Sequence, residues 1–202
     1  MSRVRIRDIR NEELIEAAIA ATYAEGFASV TMSDIARRAG TTAASINYYF
    51  GSKDKLMEAA MRRLLSILRT ALLTRLKTAK TPQDRLFAVV GANFDEALFT
   101  EAQCSFWMQF WSNAPYVPRL ARLHRINRSR VQSHINAELK KLVAPDMRAP
   151  LLNAIQAYMD GVWIEAAQKA APTDPVKAQH NAQQALMALI NGARAEKPES
   201  DV

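Results

Sequence analysis

The amino-acid sequence predicts an all-α protein of about nine helices. Hydrophobic residues make up 49% of its 202 residues and charged residues 23%, which is enough apolar material for a substantial core. Runs of alternating β-branched residues, which would indicate strands, are almost absent. Apolar residues instead recur at helical spacing between glycines, prolines and capping residues. We expect an N-terminal unit over residues 1–52, a larger C-terminal unit over residues 53–195 and a disordered tail over residues 196–202.

Two helices are predicted at the start of the N-terminal unit. The first covers residues 11–25, with apolar residues on the face that would cover the elements after it. Thr31 and Asp34 then have the spacing of a capping box, in which a hydroxyl and a carboxylate each accept a hydrogen bond from a free backbone N–H. Because Gly40 is typical of a helix end, the second helix should be short.

A third helix follows after a short turn. Thr41 or Thr42 is suited to cap a helix over residues 43–49, whose Ile46 would point inward together with Phe50. Two short helices joined around a glycine make a helix-turn-helix. An ordinary helical hairpin with a polar outer side has the same pattern, so geometry alone leaves both interpretations open.

The outward-facing residues of this motif suit a DNA-reading task. Ser45 and Asn47 carry the short hydroxyl and amide groups that reach base edges in the major groove. Other polar side chains around them suit contacts to phosphates. The candidate DNA-binding residues are Thr31, Thr42, Ala43, Ser45, Asn47, Tyr48, Tyr49 and Lys53.

Positive charge is concentrated in the same part of the chain. The net charge is +7, and residues 1–80 carry 14 Lys and Arg against 8 Asp and Glu, whereas residues 81–202 carry 13 against 12. Four arginines alternate at the start of the chain: Arg3, Arg5, Arg7 and Arg10. They form either an arm that lies along phosphates or in a minor groove, or a solvated tail.

Three helices are predicted next. A fourth helix over residues 53–79 keeps helical spacing for about seven turns and would couple the N-terminal unit to the rest. Thr81 and Pro82 mark the start of a fifth, which over residues 85–99 is apolar on most sides and should be interior. Thr100 has capping spacing and opens the sixth.

Prolines separate the last three helices. Pro118 precedes a long basic seventh helix, Pro150 an eighth, and Pro175 a ninth that ends near residue 193. Along the seventh, four arginines step by three, which is typical of a solvated stripe or of a second nucleic-acid surface: Arg119, Arg122, Arg125 and Arg128. The last two helices carry surplus alanine and apolar residues, which makes them candidates for a subunit interface, with Leu186 as an example.

Several classes of site find no support in the sequence. Cys104 is the only cysteine, so an intrachain disulfide is excluded and a small buried residue is the expected role. The three histidines are scattered, no metal is predicted, and no nucleophile–base grouping or phosphate loop indicates an enzyme. The sequence contains no secretory signal and no membrane span, so we expect no membrane partner and a cytoplasmic protein.

Aromatic and acidic residues in the C-terminal unit suggest a cation site. Trp107 and Trp111 lie four apart on one helical face, and Trp163 is the third tryptophan. Asp95 and Asp160 interrupt apolar helices, where an acid needs a cationic partner. Aromatic faces with a carboxylate suit a quaternary ammonium ligand, although any one of these rings is more often a core residue.

Residues 36–56, ARRAGTTAASINYYFGSKDKL, resemble the DNA-binding signature of the TetR family of repressors. The shared positions are Ala36, Ala39, Gly40, Thr42, Tyr49, Phe50, Lys53 and Leu56. The resemblance implies that Tyr49 and Lys53 hold phosphates while the outward residues of the third helix lie against the groove. It also implies a homodimer on double-stranded DNA, joined through the last two helices of each subunit. Thr41, Ala44 and Asn47 depart from the family pattern, which affects the operator sequence.

Four C-terminal segments are similar to the choline-responsive repressors of the glycine betaine pathway: GANFDEAL, FWMQFWSNAP, RLARLHRINRSR and MDGVWIEAA. This resemblance implies a repressor of choline uptake and oxidation genes that choline releases from a palindromic operator, with no cofactor. By this resemblance, the candidate ligand-binding residues are Asp95, Trp107, Trp111, Trp163, Phe94, Tyr158 and Asp160.

Three alternatives stay open at this point. One is a TetR-like regulator that senses another hydrophobic cation or a drug and controls efflux. A nucleoid-type DNA binder would show no ligand effect and little sequence preference. A small helical enzyme would turn over the ligand in its aromatic pocket.

Overall fold

The structure, a computed structural model, describes residues 3–168 and 172–195, with side chains from residue 8 to 168 and from 172 to 194. These residues form nine α-helices and no strand, which confirms the predicted all-α class. The helices are α1 (Arg3–Glu25), α2 (Met32–Arg38), α3 (Ala43–Phe50), α4 (Lys53–Leu76), α5 (Pro82–Ala92), α6 (Glu101–Asn113), α7 (Pro118–Leu142), α8 (Arg148–Ala167) and α9 (Pro175–Ala195), with a 3-10 turn at Ala114–Tyr116 before α7.

Helix α1 begins earlier than the sequence prediction. It was expected over residues 11–25, but the backbone is helical from Arg3 because no glycine or proline interrupts the segment before residue 11. The arginines at the start of the chain therefore extend a helix, although the side chains of the first three lie outside the described residues. Arg10 forms an ion pair with Glu13 at 2.8 Å. The predicted tail over residues 196–202 also lies outside the described residues.

The helix-turn-helix is built by the predicted capping residues. The Thr31 hydroxyl accepts a hydrogen bond from the Asp34 backbone N–H (3.2 Å), and the Asp34 carboxylate accepts one from the Thr31 N–H (3.0 Å). Gly40 has φ of 58°, a conformation that other residues rarely adopt, and so allows the turn after α2. Thr42, not Thr41, caps α3 by accepting from the Ser45 N–H at 3.1 Å.

Helices α4 and α5 are shorter than expected. Helix α4 ends at Leu76, not at residue 79, because its last N–H groups shift to i−3 carbonyls before the next capping box. The predicted fifth helix ran to residue 99, but α5 ends at Ala92. Asp95 stops it, since its carboxylate accepts from the Ala97 N–H and its carbonyl accepts from the Leu98 N–H. The resulting loop joins α5 to α6.

One hydrophobic cluster runs through both units from Leu14 to Ala193. Helix α5 lies inside the C-terminal unit, packed between α4, α7 and α9, as its apolar character predicts. Leu186 of α9 is fully buried within the subunit, so its suggested place in a subunit interface was wrong. Across the described residues, none of the helices combines the length and the apolar character that crossing a membrane requires.

Candidate functional site

The outer face of α3 is open to a partner. Asn47 is exposed and Tyr48 is 81% exposed, whereas Ile46 beneath them is fully buried. The ring of Tyr48 stands edge-on to that of Tyr49, with centroids 5.4 Å apart. A short rigid helix with polar and aromatic groups on its outer side has the size and chemistry to enter a major groove.

The other DNA candidates lie around this helix. Thr31 and Thr42 are exposed at the starts of α2 and α3, and Ala43 and Ser45 are half-buried in the first turn of α3. Each threonine hydroxyl accepts a backbone hydrogen bond as a helix cap. The Thr31 hydroxyl also donates to the Asp34 carboxylate at 2.6 Å, so it must release that carboxylate before it donates to a phosphate, whereas the Thr42 hydroxyl can donate to a phosphate directly.

Lys53 has contacts within the protein. Its ammonium donates a hydrogen bond to the Ala28 carbonyl at 3.3 Å and lies 5.8 Å from the centroid of the Phe27 ring. Burial lowers its pKa from the ordinary value, against the opposing effect of Asp54. Lys53 therefore ties the start of α4 to the turn after α1, and its ammonium keeps two further N–H donors for a phosphate.

Helix α6 is hydrogen-bonded to the end of α1 and to the turn that follows it. The Gln109 side-chain oxygen accepts a hydrogen bond from the Phe27 N–H, and its nitrogen donates to the Thr22 carbonyl (3.4 Å) and to the Ser105 hydroxyl (3.0 Å). Near the start of α6, Tyr23 donates to Glu101 at 2.7 Å. The helix-turn-helix unit is thus held to the rest of the chain through α1, which packs on both α4 and α6.

A small cavity opens on the other side of α6, between α6, α7 and α8. The lining residues with polar or aromatic side chains include Trp107, Trp111, His124, Arg128, Asp160 and Trp163. Its free volume is about 30 Å³. Since one water needs about 10–15 Å³, the cavity has room for about two waters and must widen for a larger ligand.

The three indoles lie around this cavity. The ring centroids of Trp107 and Trp163 are 4.9 Å apart at an interplanar angle of 50°, and both side chains are almost fully buried. Trp111 is half-buried and meets His124 edge-on at 5.8 Å. Phe99 supports Trp163 from behind at 5.6 Å. These contacts hold the rings in place without a ligand.

The carboxylate of the cavity is Asp160. Arg128 donates a hydrogen bond to one of its oxygens at 3.2 Å, and the Gln156 amide donates to the other at 3.0 Å. The pKa of the neighbouring His124 is lowered by burial and by the positive charge of Arg128, against the opposing effect of Asp160. His124 is therefore neutral at pH 7, and the cavity holds one fixed positive and one fixed negative group.

The structure brings together four of the seven ligand candidates, namely Trp107, Trp111, Trp163 and Asp160. The others lie elsewhere. Asp95 is ion-paired to Arg75 of α4 at 3.1 Å. Phe94 is fully buried against Phe99, with ring centroids 5.3 Å apart. Tyr158 lines a separate groove between α8 and the start of α9.

Sequence reasoning missed five polar residues of the cavity: Asn93, Asn127, His124, Arg128 and Gln156. Arg128 was treated as part of a solvated stripe and His124 as a scattered histidine. They lie four residues apart on α7 and so share a helix face, which was the available signal. Gln156 and Asp160 have the same spacing on α8.

The cavity adjoins a larger groove between α4 and α7. Asn93, Asn127 and Val131 line both spaces, and the groove of about 290 Å³ is walled by leucines of α4. Movement of these three side chains would connect the cavity to solvent.

Two other features of the C-terminal unit bear on its chemistry. Cys104 is fully buried, and burial with the nearby Glu101 raises the pKa of its thiol to about 12, which keeps it protonated and unreactive. The described residues contain no group of three or more His, Cys, Asp or Glu side chains placed to hold a metal ion.

Comparisons with known proteins match two parts of the chain. Residues 14–60 match the sequence model of bacterial regulatory proteins of the tetR family, and residues 82–192 match that of the C-terminal domain of BetI-type transcriptional repressors. The chain is 34% identical over 175 residues to the HTH-type transcriptional regulator BetI of Burkholderia cenocepacia, covering 86% of this chain and 90% of that protein. It is 33% identical over 180 residues to BetI of Escherichia coli K12, covering 88% and 92%.

A solved structure also has this fold. A transcriptional regulator from Saccharomonospora viridis, determined in complex with choline, superposes with a TM-score of 0.73 at 20% identity over 86% of this chain and 93% of that one. At this identity the likeness shows the shared fold.

Proposed function

The chain belongs to the TetR family of transcriptional repressors, in its BetI-type branch, and from this premise we propose that choline is the signal that releases it from DNA. In this proposal a homodimer in the cytoplasm binds a palindromic operator and represses genes for choline uptake and glycine betaine synthesis. The observation that carries the ligand assignment is the cavity lined by three indoles and one carboxylate.

The cavity suits a quaternary ammonium. Such a cation cannot donate a hydrogen bond, so it is bound by aromatic faces and a nearby negative charge. Trp107, Trp111 and Trp163 supply the faces, and each contributes about 0.5–2 kcal/mol. Asp160 supplies the charge. The names of the BetI relatives and the choline complex of the structural relative support the same ligand.

Choline must displace Arg128 in order to bind, because the Arg128 guanidinium already forms an ion pair with Asp160. Its side chain is 41% exposed, and an ion pair this accessible contributes about 0–1 kcal/mol. Choline therefore displaces the guanidinium into solvent at small cost and takes its place beside the carboxylate. A neutral His124 on the opposite wall adds no repulsion at pH 7.

The dimer is proposed to form through the outward faces of α8 and α9. These faces carry small and apolar residues, among them Ala157, Ile164 and Ala188. Gly161 and Gly192 lie in the same helices, and a Cβ at either would meet nothing within 4 Å. A helical glycine costs about 1 kcal/mol relative to alanine, so two without an intrachain packing role favour close approach of a second subunit.

The DNA end of the proposal rests on α3 and the residues around it. Asn47 and Tyr48 are exposed on α3, and Tyr49 and Lys53 flank them at the end of α3 and the start of α4. One helix-turn-helix unit makes few contacts with DNA. Two units, placed in successive major grooves about 34 Å apart, are therefore required for tight, specific binding.

The proposal is tested with choline, an operator fragment and three variants. Trp163→Ala and Asp160→Asn should each weaken choline binding by about 2- to 30-fold in calorimetry while choline-free operator affinity stays near wild type. Asp95→Asn is the matched control, because that carboxylate pairs with Arg75 and does not line the cavity. It should leave choline affinity unchanged.

A folded, operator-binding protein that takes up no choline at millimolar concentration would contradict the ligand assignment. A thermal-shift screen of other amines and hydrophobic cations would then identify the signal. Weakened choline binding in Asp95→Asn alone would transfer the anionic role to Asp95.

A further inference from the structure

Two buried polar atoms of the cavity have no hydrogen-bond partner among the described residues. They are the indole nitrogen Nε1 of Trp107, a side chain 3% exposed, and the amide oxygen Oε1 of Gln156, a residue 9% exposed. Both residues line the cavity. A buried donor and a buried acceptor left unpaired are costly, so a site that retains both is built for an occupant that satisfies them.

The orientation of the Gln156 amide is fixed by its other end. Nε2 donates a hydrogen bond to Asp160 at 3.0 Å. Reversing the amide would place its oxygen against the carboxylate, which is repulsive, so the nitrogen stays on Asp160 and the oxygen remains free. The cavity therefore offers one unpaired hydrogen-bond donor, the indole N–H, and one unpaired acceptor, the amide oxygen.

One hydroxyl can satisfy both atoms, because its oxygen accepts while its hydrogen is donated. A water does the same in the free protein, and the cavity of about 30 Å³ has room for it. A carboxylate would leave the Gln156 oxygen facing a negative group, and an alkyl chain would leave both atoms unpaired.

We propose that Trp107 Nε1 and Gln156 Oε1 form a hydroxyl subsite, so that the cavity selects a quaternary amino alcohol against its alkyl, ether and carboxylate analogues. This inference rests on the proposed function, since it assigns the second half of the choline molecule once the ammonium lies against the indoles and Asp160. The selection has a consequence for regulation: the carboxylate product of choline oxidation is rejected by the Gln156 oxygen, one of the two atoms that accept choline.

The test compares four ligands on the wild-type protein by calorimetry. Propyltrimethylammonium replaces the hydroxyl of choline by a methyl group, O-methylcholine keeps the acceptor and removes the donor, and glycine betaine carries a carboxylate. Choline should bind about 10- to 100-fold more tightly than propyltrimethylammonium, since a site built around a hydroxyl rejects an analogue that lacks it. O-methylcholine should lie between them and glycine betaine should bind weakest.

Two variants assign the subsite to its residues. Trp107→Phe keeps an aromatic face and removes the N–H, and Gln156→Met keeps the length of the side chain and removes the acceptor. Each should reduce the ratio of the affinities for choline and propyltrimethylammonium toward one, mainly by weakening the binding of choline. Tyr158→Phe, a change outside the cavity on the same helix as Gln156, should leave the ratio unchanged.

The outcomes separate this inference from the proposed function. Equal binding of choline and propyltrimethylammonium to the wild type would overturn the hydroxyl subsite and leave choline as the signal. A ratio that survives both variants would overturn the assignment to these two residues. Failure of every trimethylammonium ligand to bind would overturn the proposed function and the subsite with it.

Discussion

The hydrogen bonds of Gln109 allow a direct test of how the effector cavity reaches the DNA-binding unit. Gln109 lies on α6 between the two indoles of that helix, and it accepts from the Phe27 N–H and donates to the Thr22 carbonyl. Helix α6 thus lines the cavity with one face and holds the end of α1 with another. Gln109→Met keeps the length of the side chain and removes both bonds.

The size of the effect follows from these two bonds. Each contributes about 0.5–1.5 kcal/mol, so their joint loss costs about 1–3 kcal/mol. The Thr22 carbonyl still accepts from the Gly26 N–H, whereas the Phe27 N–H loses its partner in a residue only 8% exposed. Allosteric coupling energies are also about 1–3 kcal/mol, or about 5- to 150-fold in affinity. Losing the link should therefore remove most of the coupling.

The assay measures operator affinity with and without saturating choline, and choline affinity by calorimetry. In Gln109→Met, choline should bind as in the wild type but change operator affinity by less than about threefold. Ser112→Ala, an exposed change on the same helix, is the control and should keep the full effect. Full choline response in Gln109→Met would refute this route and place the coupling elsewhere, for example in the direct packing of α6 on α4.

Three further predictions concern other parts of the molecule. Lys53→Ala should weaken binding to all DNA sequences nearly alike, and the slope of log affinity against log salt concentration should become shallower by about one unit. Asn47→Ala should instead change which bases are preferred. Binding titrations at several salt concentrations measure both effects. Ala188→Glu, compared with Gln183→Glu on the opposite edge of α9, should convert dimers into monomers in sedimentation. Choline affinity should fall as the pH is lowered below 6.5 and His124 becomes protonated, and His124→Asn should remove this dependence. Because the pKa of His124 is lowered in the folded protein, the unfolded state binds the proton first as the pH falls. The free energy of unfolding should therefore also decrease as the pH is lowered in this range.

The sequence was informative wherever local signals determine structure. The capping box at Thr31 and Asp34, the cap at Thr42 and the turn at Gly40 act within a few residues, so the helix-turn-helix could be predicted almost to the residue. The family resemblance seen in the same segment is confirmed, and the relatives are named regulators, which sets aside the enzyme alternative. The end of α5 was missed because the Asp95 turn competes with a helical apolar pattern that continues past it.

The cavity was harder to predict, because it is formed by residues from four different segments. Helical spacing identified Trp107 and Trp111 as neighbours, but it gave no means of choosing between Asp95 and Asp160 as the acid beside them. That choice depends on which arginine each one meets, Arg75 on α4 or Arg128 on α7, and on how the helices pack. Leu186 was misplaced for the same reason, since an apolar residue on α9 faces either the core or a partner subunit.

The size of the cavity indicates which state of the protein binds choline. A ligand shifts an equilibrium between two states only by the difference in its affinity for them. The described state, in which Gln109 holds α1, has a cavity of about 30 Å³, room for about two waters and too little for choline. Choline must therefore bind a wider state, in which Arg128 and the side chains between the cavity and the groove have moved or α6, α7 and α8 have separated. Because α6 also carries Gln109, a widening that moves α6 strains the bonds that fix the end of α1. If the described state is the one that binds the operator, the cavity is closed to choline in that state, and release requires no contact between choline and the DNA-binding unit.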